Sequence, residues 1–275
     1  MIPRAHVTAW RSSAPWPTDA QVEQDLVLSR ALVELYSQPA VAKALAFRGG
    51  TALHKLVLPR PQRYSEDIDL VQIAPGPIGS VLDAIRSALD PWLGTPGRKQ
   101  SAGGATLVYR FESSGLPAQP MRLKVEINTR EHGSGLPLRE MAFAVGNPWF
   151  SGGASLATYA AEELLATKLR ALYQRKKGRD LFDLWQALSL LDVDDGRIVN
   201  LFADYLRREE QRVTRAQFER NLAEKERMPQ FLGDILPLLP SGIGYDPVQA
   251  LGLVRVRLIE KLPGEPWRDP AQKKP

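Results

Sequence analysis

Two short stretches carry residue types that could do chemistry together. The first is Arg48-Gly49-Gly50-Thr51-Ala52-Leu53-His54-Lys55, and the second is Arg63-Tyr64-Ser65-Glu66-Asp67-Ile68-Asp69-Leu70. Asp67 and Asp69 alternate with Ile68 and Leu70 in a β-like run that continues through Val71 and Ile73, so both carboxylates leave one face of a strand while Ile68 and Leu70 leave the other. Neighbouring acids repel, and a fold tolerates them best where a cation lies between them. Carboxylate oxygen suits Mg²⁺, which takes one or two such ligands and completes its shell with water and phosphate. The Gly-Gly-Thr turn supplies the complement, because glycines let backbone N–H groups approach a phosphate where a helix begins. Taken singly, each stretch also has a plain structural reading: Gly-Gly as a tight turn, Asp-x-Asp as a solvated or ion-paired strand.

The elements that must position these residues follow from the local pattern. Thr18-x-x-Gln21 fits a capping box, opening a helix through about Leu35 that Gln38-Pro39 stops. Val41 to Phe47 reads as a helical turn and then a strand that delivers the chain to Gly49. Thr51 to Val57 is a short helix ended by Pro59-Arg60-Pro61, and the Asp-x-Asp strand comes next. A helix is predicted from about Ile78 to Leu89, then strands over Ala105–Phe111 and Met121–Thr129. In the last strand Lys124, Glu126 and Asn128 share the face opposite Leu123, Val125 and Ile127, either as its wet side or with Glu126 as a third acid. From Tyr159 the pattern is helical: to about Lys176, then Arg179–Leu191, Ile198–Arg208, Arg215 to about Arg227 behind a second capping box (Thr214-x-x-Gln217), and Pro247 to about Leu262. Asn147-Pro148 and Ser151-Gly152-Gly153 mark a boundary, giving domains over 1–153 and 154–275.

Composition excludes several classes. The 275-residue chain has no cysteine, which removes disulfides, thiolate catalysis, Cys-ligated zinc and iron–sulfur clusters. Its three isolated histidines have no metal-ligand spacing. No apolar run approaches the roughly 18 residues that span a bilayer. The start, Met-Ile-Pro-Arg-Ala-His, lacks an apolar h-region, so no signal peptide and a cytoplasmic location are expected. A net charge of +5 is compatible with a nucleic-acid partner without arguing for one. Six basic residues crowd into 168–179, which on charge patterning alone reads as a basic helix C-terminus answering its dipole.

Joined in order, strand, Gly-Gly-Thr, helix and Asp-x-Asp strand resemble the signature of the DNA polymerase β-type nucleotidyltransferase superfamily. Gly49-Gly50-Thr51-Ala-Leu-His-Lys55 with Arg63-Tyr-Ser-Glu-Asp67-Ile-Asp69-Leu is similar to the AbiEii/AbiGii toxin family, which includes the MenT toxins. Lys168-x₆-Arg175 followed by Arg179-Asp180-Leu-Phe-Asp183 is similar to a second segment of that family. The resemblance is tight over about 47–70 and 160–185 and loose elsewhere.

It implies an α/β (α+β) fold, with a mixed-sheet nucleotidyltransferase domain followed by a helical domain and a cleft between them. It also implies Mg²⁺, or Mn²⁺ in its place, on Asp67, Asp69 and Glu126. Gly49, Gly50, Thr51, Lys168 and Arg175 would bind an NTP, and Asp180 would orient Lys168 or Arg175. Ser65 would face the same triphosphate or simply cap the turn. The implied activity is that of the toxin of a toxin–antitoxin pair, moving an NMP from an NTP to RNA, at the 3′ end of tRNA, and so inhibiting growth under control of a cognate antitoxin. Two alternatives stay open: the same chemistry aimed at a protein or small-molecule hydroxyl, and a non-catalytic module binding nucleic acid or antitoxin.

Overall fold

The computed structural model describes residues 2–101 and 103–268. Contacts within the chain divide it into two units, one running to Ala160 with Leu238–Gly242 added, the other spanning Ala161–Pro237 and the residues from Ile243 onward. Among the described residues, no helix is long and apolar enough to cross a membrane.

The first unit is built on a seven-stranded mixed sheet. Its strands are β1 (Leu45–Arg48), β2 (Asp67–Gln72), β3 (Gly97–Ser101), β4 (Gly104–Glu112), β5 (Pro120–Asn128), β6 (Arg139–Asn147) and β7 (Phe150–Thr158), in the order β3-β4-β5-β2-β1-β7-β6. β2 lies at the centre, antiparallel to β1 and parallel to β5. β1 also runs parallel to β7, where Thr158 Oγ1 donates to Phe47 O at 2.7 Å. β7 runs through the boundary expected at 153/154. The Asn147-Pro148 and Gly152-Gly153 signals belong to the β6–β7 hairpin, in which Asn147 faces Phe150 and accepts from Trp149 N at 2.9 Å.

Helices α1 (Arg4–Trp10), α2 (Asp19–Tyr36), α3 (Pro39–Ala44), α4 (Gly49–Ala52) and α5 (Gly79–Leu93) complete this unit. The Thr18 box forms: Thr18 Oγ1 accepts from Gln21 N and Gln21 Oε1 accepts from Thr18 N, both at 3.2 Å. Leu26, Leu28 and Leu32 of α2 with Val81, Ile85 and Leu89 of α5 share one core with Ile68, Leu70, Val125 and Ile127. Burying each such side chain contributes about 1.5–3 kcal/mol. A one-residue slip of β2 would swap Ile68 and Leu70 for Asp67 and Asp69, so the core fixes which face carries the acids.

The second unit is helical: α6 (Ala161–Gln174), α7 (Gly178–Leu190), α8 (Asp195–Arg208), α9 (Arg215–Glu226), α10 (Pro229–Gly233) and α11 (Pro247–Arg257). Side-chain caps start three of them. Asp194 Oδ1 accepts from Arg197 N (3.0 Å), Thr214 and Gln217 form the second capping box, and Asp246 Oδ1 accepts from Val248 N (2.8 Å) ahead of Pro247 at the first helical position.

Candidate active site

The register of β2 gathers the acids. Asp69 lies opposite Glu126, and Asp67 opposite Lys124, in a parallel pair whose partners share a face. Ile68, Leu70, Val125 and Ile127 are buried behind them, whereas Asp67, Asp69, Lys124 and Glu126 are all half-buried. Burial, then the neighbouring Asp69 carboxylate, pushes the Asp67 carboxyl up to about 6, with Glu66 and Glu126 adding to the rise and Lys124 opposing it. This face thus carries more negative charge than its own cation answers. Lys124 Nζ lies 2.7 Å from Glu126 Oε1. Burial works against the Lys124 charge, but the Glu126 hydrogen bond and the fields of Glu126, Asp67 and Asp69 hold its ammonium above the ordinary lysine range.

The Gly-Gly-Thr turn lies directly against the acids. Gly49 has φ +86°, and a Cβ there would stand 2.1 Å from Asp69 Oδ2 and 2.9 Å from its Cγ, so only glycine lets the carboxylate pass. Arg48, which caps the turn, is ion-paired with Glu131 and lies in register with Asp69. Thr51 is buried. Its hydroxyl donates to Asp67 O at 2.6 Å and lies 2.8 Å from Ser65 Oγ. A threonine has one hydroxyl proton, so Ser65 is the donor in the second contact. Both hydroxyls therefore tie the turn to the start of β2. The helix beginning at Gly49 widens into a π-turn over Leu53–Val57, a rare distortion frequent at functional sites.

A divalent cation fits this donor set. Two carboxylates on one strand face, one with its pKa raised by the other, and a glycine cradle that a Cβ would fill are the features such an ion relieves. Among the described residues, no group of three or more His, Asp or Glu side chains is gathered closely enough to hold a metal. Asp67 and Asp69 form the pair, and Glu126 is engaged by Lys124.

In the second unit, Lys168 of α6 and Asp180 and Asp183 of α7 are buried together. Lys168 Nζ lies 2.7 Å from Asp183 Oδ2 and donates to Asp180 Oδ1 at 3.4 Å. Arg175 donates a fork to Asp180, from Nε to Oδ2 at 2.6 Å and from NH2 to Oδ1 at 2.7 Å. Burial alone would raise the Asp180 carboxyl, but Lys168 and Arg175 outweigh it and hold the acid below the usual carboxylate range. Gly178 permits this arrangement, since a Cβ there would fall 1.9 Å from Phe231 O of α10. Lys225 of α9 reaches into the end of α6, donating to Leu172 O and to Tyr173 O (2.9 Å for the latter). Burial pulls its ammonium down to about 8.

Three of these residues were assigned no role from the sequence. Lys124 was visible as the same-face neighbour of Glu126, but strand alternation assigns a face and not a partner. Asp183 stood in Arg179-Asp180-x-x-Asp183, and it approaches the Lys168 ammonium more closely than Asp180 does. Lys225 gave no signal, because its partners are backbone carbonyls. The basic run also divides. Lys168 and the largely buried Arg170, which donates to Glu209 Oε1 at 2.9 Å and stacks over Tyr205, are drawn inward, while Arg175, Lys176 and Lys177 stay exposed.

A mixed sheet presenting paired aspartates beside a glycine turn, with a helical unit after it, is the frame of a nucleotidyltransferase. The family model for the nucleotidyl transferase AbiEii toxin of type IV toxin–antitoxin systems matches residues 30–251, and the chain belongs to that family. Its fold is similar to that of MenT4, a nucleotidyltransferase toxin of Mycobacterium tuberculosis H37Rv, at 21% identity over 96% of this chain and 91% of that one, with a TM-score of 0.65. JHP933 from Helicobacter pylori is similar at 16% identity over 87% and 90% of the two chains, with a TM-score of 0.53. No curated protein matches the chain by sequence.

Proposed function

We propose that this nucleotidyltransferase is a toxin that transfers an NMP from an NTP to an RNA hydroxyl, at the 3′ end of tRNA, and thereby blocks translation. The acceptor oxygen attacks the α-phosphorus, its bond to the β-phosphate oxygen breaks, and pyrophosphate leaves. The observation that carries this reading is the charge-rich face of Asp67 and Asp69 packed against Gly49. Asp67 and Asp69 would hold Mg²⁺ or Mn²⁺, with Glu126 joining them on giving up Lys124, and the ion would neutralise the triphosphate and acidify the attacking hydroxyl. Glu126 would take the acceptor proton. The N–H groups at the start of the helix, at Gly49 and Gly50, would receive phosphate oxygens, with Thr51 and Ser65 holding the turn beneath them. Lys168 and Arg175, expected with Asp180 to answer charge on the leaving group, are instead committed within the second unit to Asp180 and Asp183, so we assign that neutralisation to the cation and the helix N-terminus.

The RNA acceptor and the cytoplasmic setting rest on the resemblance in the sequence and on the exposed basic residues after α6. A cognate antitoxin is the expected partner. A module that only bound polyanions would gain nothing from clustered carboxylates, which weighs against the non-catalytic reading. Expression of the chain followed by sequencing of tRNA 3′ ends tests the acceptor. Growth arrest with added 3′ nucleotides is expected, and arrest with unchanged tRNA ends would shift the reading to a protein or small-molecule hydroxyl.

A further inference from the structure

Lys55 follows the Gly-Gly-Thr turn by one helical turn, where a lysine invites assignment as a phosphate ligand. Its ammonium is spent elsewhere. Nζ donates to Asp25 Oδ1 at 2.9 Å, Asp25 Oδ2 at 3.0 Å and Ser29 Oγ at 3.0 Å, which uses all three of its protons. Both side chains of the ion pair are buried, at 8% and 3% exposed. The same carboxylate takes two indole donors: Trp10 Nε1 to Oδ1 at 2.8 Å and Trp16 Nε1 to Oδ2 at 3.1 Å. Trp10 ends α1, and Trp16 lies in the loop before the Thr18 cap.

Trp16 also meets the other half of the site. Its ring packs edge-on against Tyr64, with centroids 6.0 Å apart at 69°, and Tyr64 immediately precedes Ser65. The N-terminal segment therefore touches the helix behind the glycine turn through Asp25 and Lys55, and the approach to the Asp-x-Asp strand through Tyr64. Trp10, Trp16 and Asp25 all precede residue 30, where the family match begins.

We propose that residues 2–18 form a bracing arm that positions the NTP site, with Asp25 as its hub and Trp10 and Trp16 as positioning residues. Both indole N–H groups are already given to Asp25, so neither is offered to substrate. β1–β2 pairing and the Thr51 bond to Asp67 O join the Gly49 turn to the Asp67–Asp69 strand directly, and the arm braces that junction from behind, at Lys55 on one side and Tyr64 on the other. NTP binding at such a site is sensitive to small displacements, since a hydrogen bond weakens steeply as its distance and angle depart from the optimum. The inference rests on the proposed nucleotidyl transfer only in taking the NTP as what the site binds.

The test uses the full chain with Mg²⁺ and NTP, without acceptor, and reads NTP affinity by calorimetry beside thermal unfolding. Trp16→Phe and Trp10→Phe keep the ring and remove one donor each, and the double variant removes both. A folded double variant is expected to bind NTP roughly tenfold more weakly, and in the transfer reaction to raise KM for NTP while kcat stays within about twofold. A folded double variant with wild-type NTP affinity would overturn the arm as a positioning element and leave the nucleotidyl-transfer reading intact. If the double variant fails to fold, the single variants carry the same test. Failure of both singles to fold would make the arm a folding element only and overturn the inference. No NTP binding by the wild-type chain would overturn the underlying reading, and this inference with it.

Discussion

Gly49 and Asp69 constrain each other tightly on the sheet face. An alanine at position 49 would place its Cβ 2.1 Å from Asp69 Oδ2 and would hold an L-residue at φ +86°. The left-handed conformation costs about 1–2 kcal/mol, so Gly49→Ala is expected to lower stability by about that amount in urea unfolding. The displaced carboxylate should cost about 100-fold or more in NMP transfer, measured by label incorporation, and a Gly49→Ala protein of near wild-type rate would contradict the contact. The buried cluster of the second unit behaves differently. Asp183→Asn leaves the Lys168 ammonium without its nearer carboxylate in a fully buried position, a loss of about 3–5 kcal/mol. Arg175→Gln removes a guanidinium that is 47% exposed and leaves Asp180 its contact with Lys168, so about 1–3 kcal/mol is expected. Urea midpoints of the two variants check that order.

At the scale of elements, Lys225 couples α9 to the C-terminal carbonyls of α6. Its ammonium titrates near 8 in the folded chain against an ordinary 10.5. Between these values the unfolded chain binds a proton that the folded chain has released, so this group makes stability rise with pH across that window and adds nothing to the slope below it. Unfolding followed from about pH 8 to about pH 9.5 should show that rise in the wild type and a flatter profile in Lys225→Met.

The elements differ in how openly the sequence announces them, and the difference is physical. Both capping boxes were legible because a hydroxyl and a glutamine three residues apart satisfy each other locally. β2 and β5 were legible because apolar residues alternate with charged ones, Ile68 and Leu70 in the one and Leu123, Val125 and Ile127 in the other. The β6–β7 hairpin was not: Ala142, Ala144, Gly152, Gly153 and Ala154 carry little β-propensity, and its strands form because each finds a partner across the turn. α1 was missed for a related reason. It has seven residues, no side-chain cap and only Val7 and Trp10 buried, and it is held by tertiary contacts such as the Trp10 bond to Asp25. In the candidate site, the face of each acid could be read from alternation, whereas the Lys124–Glu126 and Lys168–Asp183 contacts depend on register and packing that no local spacing encodes.

Over the whole molecule, the net charge of +5 is less informative than where the charges end up. Of the six basic residues in 168–179, Lys168 and Arg170 serve buried carboxylate and aromatic partners, so only the remaining four can meet a polyanion. If Lys176 and Lys177 contact single-stranded RNA phosphates, each contributes about 0.7 to the slope of log affinity against log salt. Lys176→Gln/Lys177→Gln should then lower that slope by about 1.4 in a salt titration of tRNA binding, while leaving NTP affinity in place. The face of β2 carries the metal-assisted transfer proposed for this chain. Its most direct test incubates the purified chain with labelled NTP, Mg²⁺ and total tRNA, beside the Asp69→Asn variant. Label is expected in tRNA with the wild type and absent with Asp69→Asn. Equal labelling by the variant would contradict the assignment of that face as the catalytic centre.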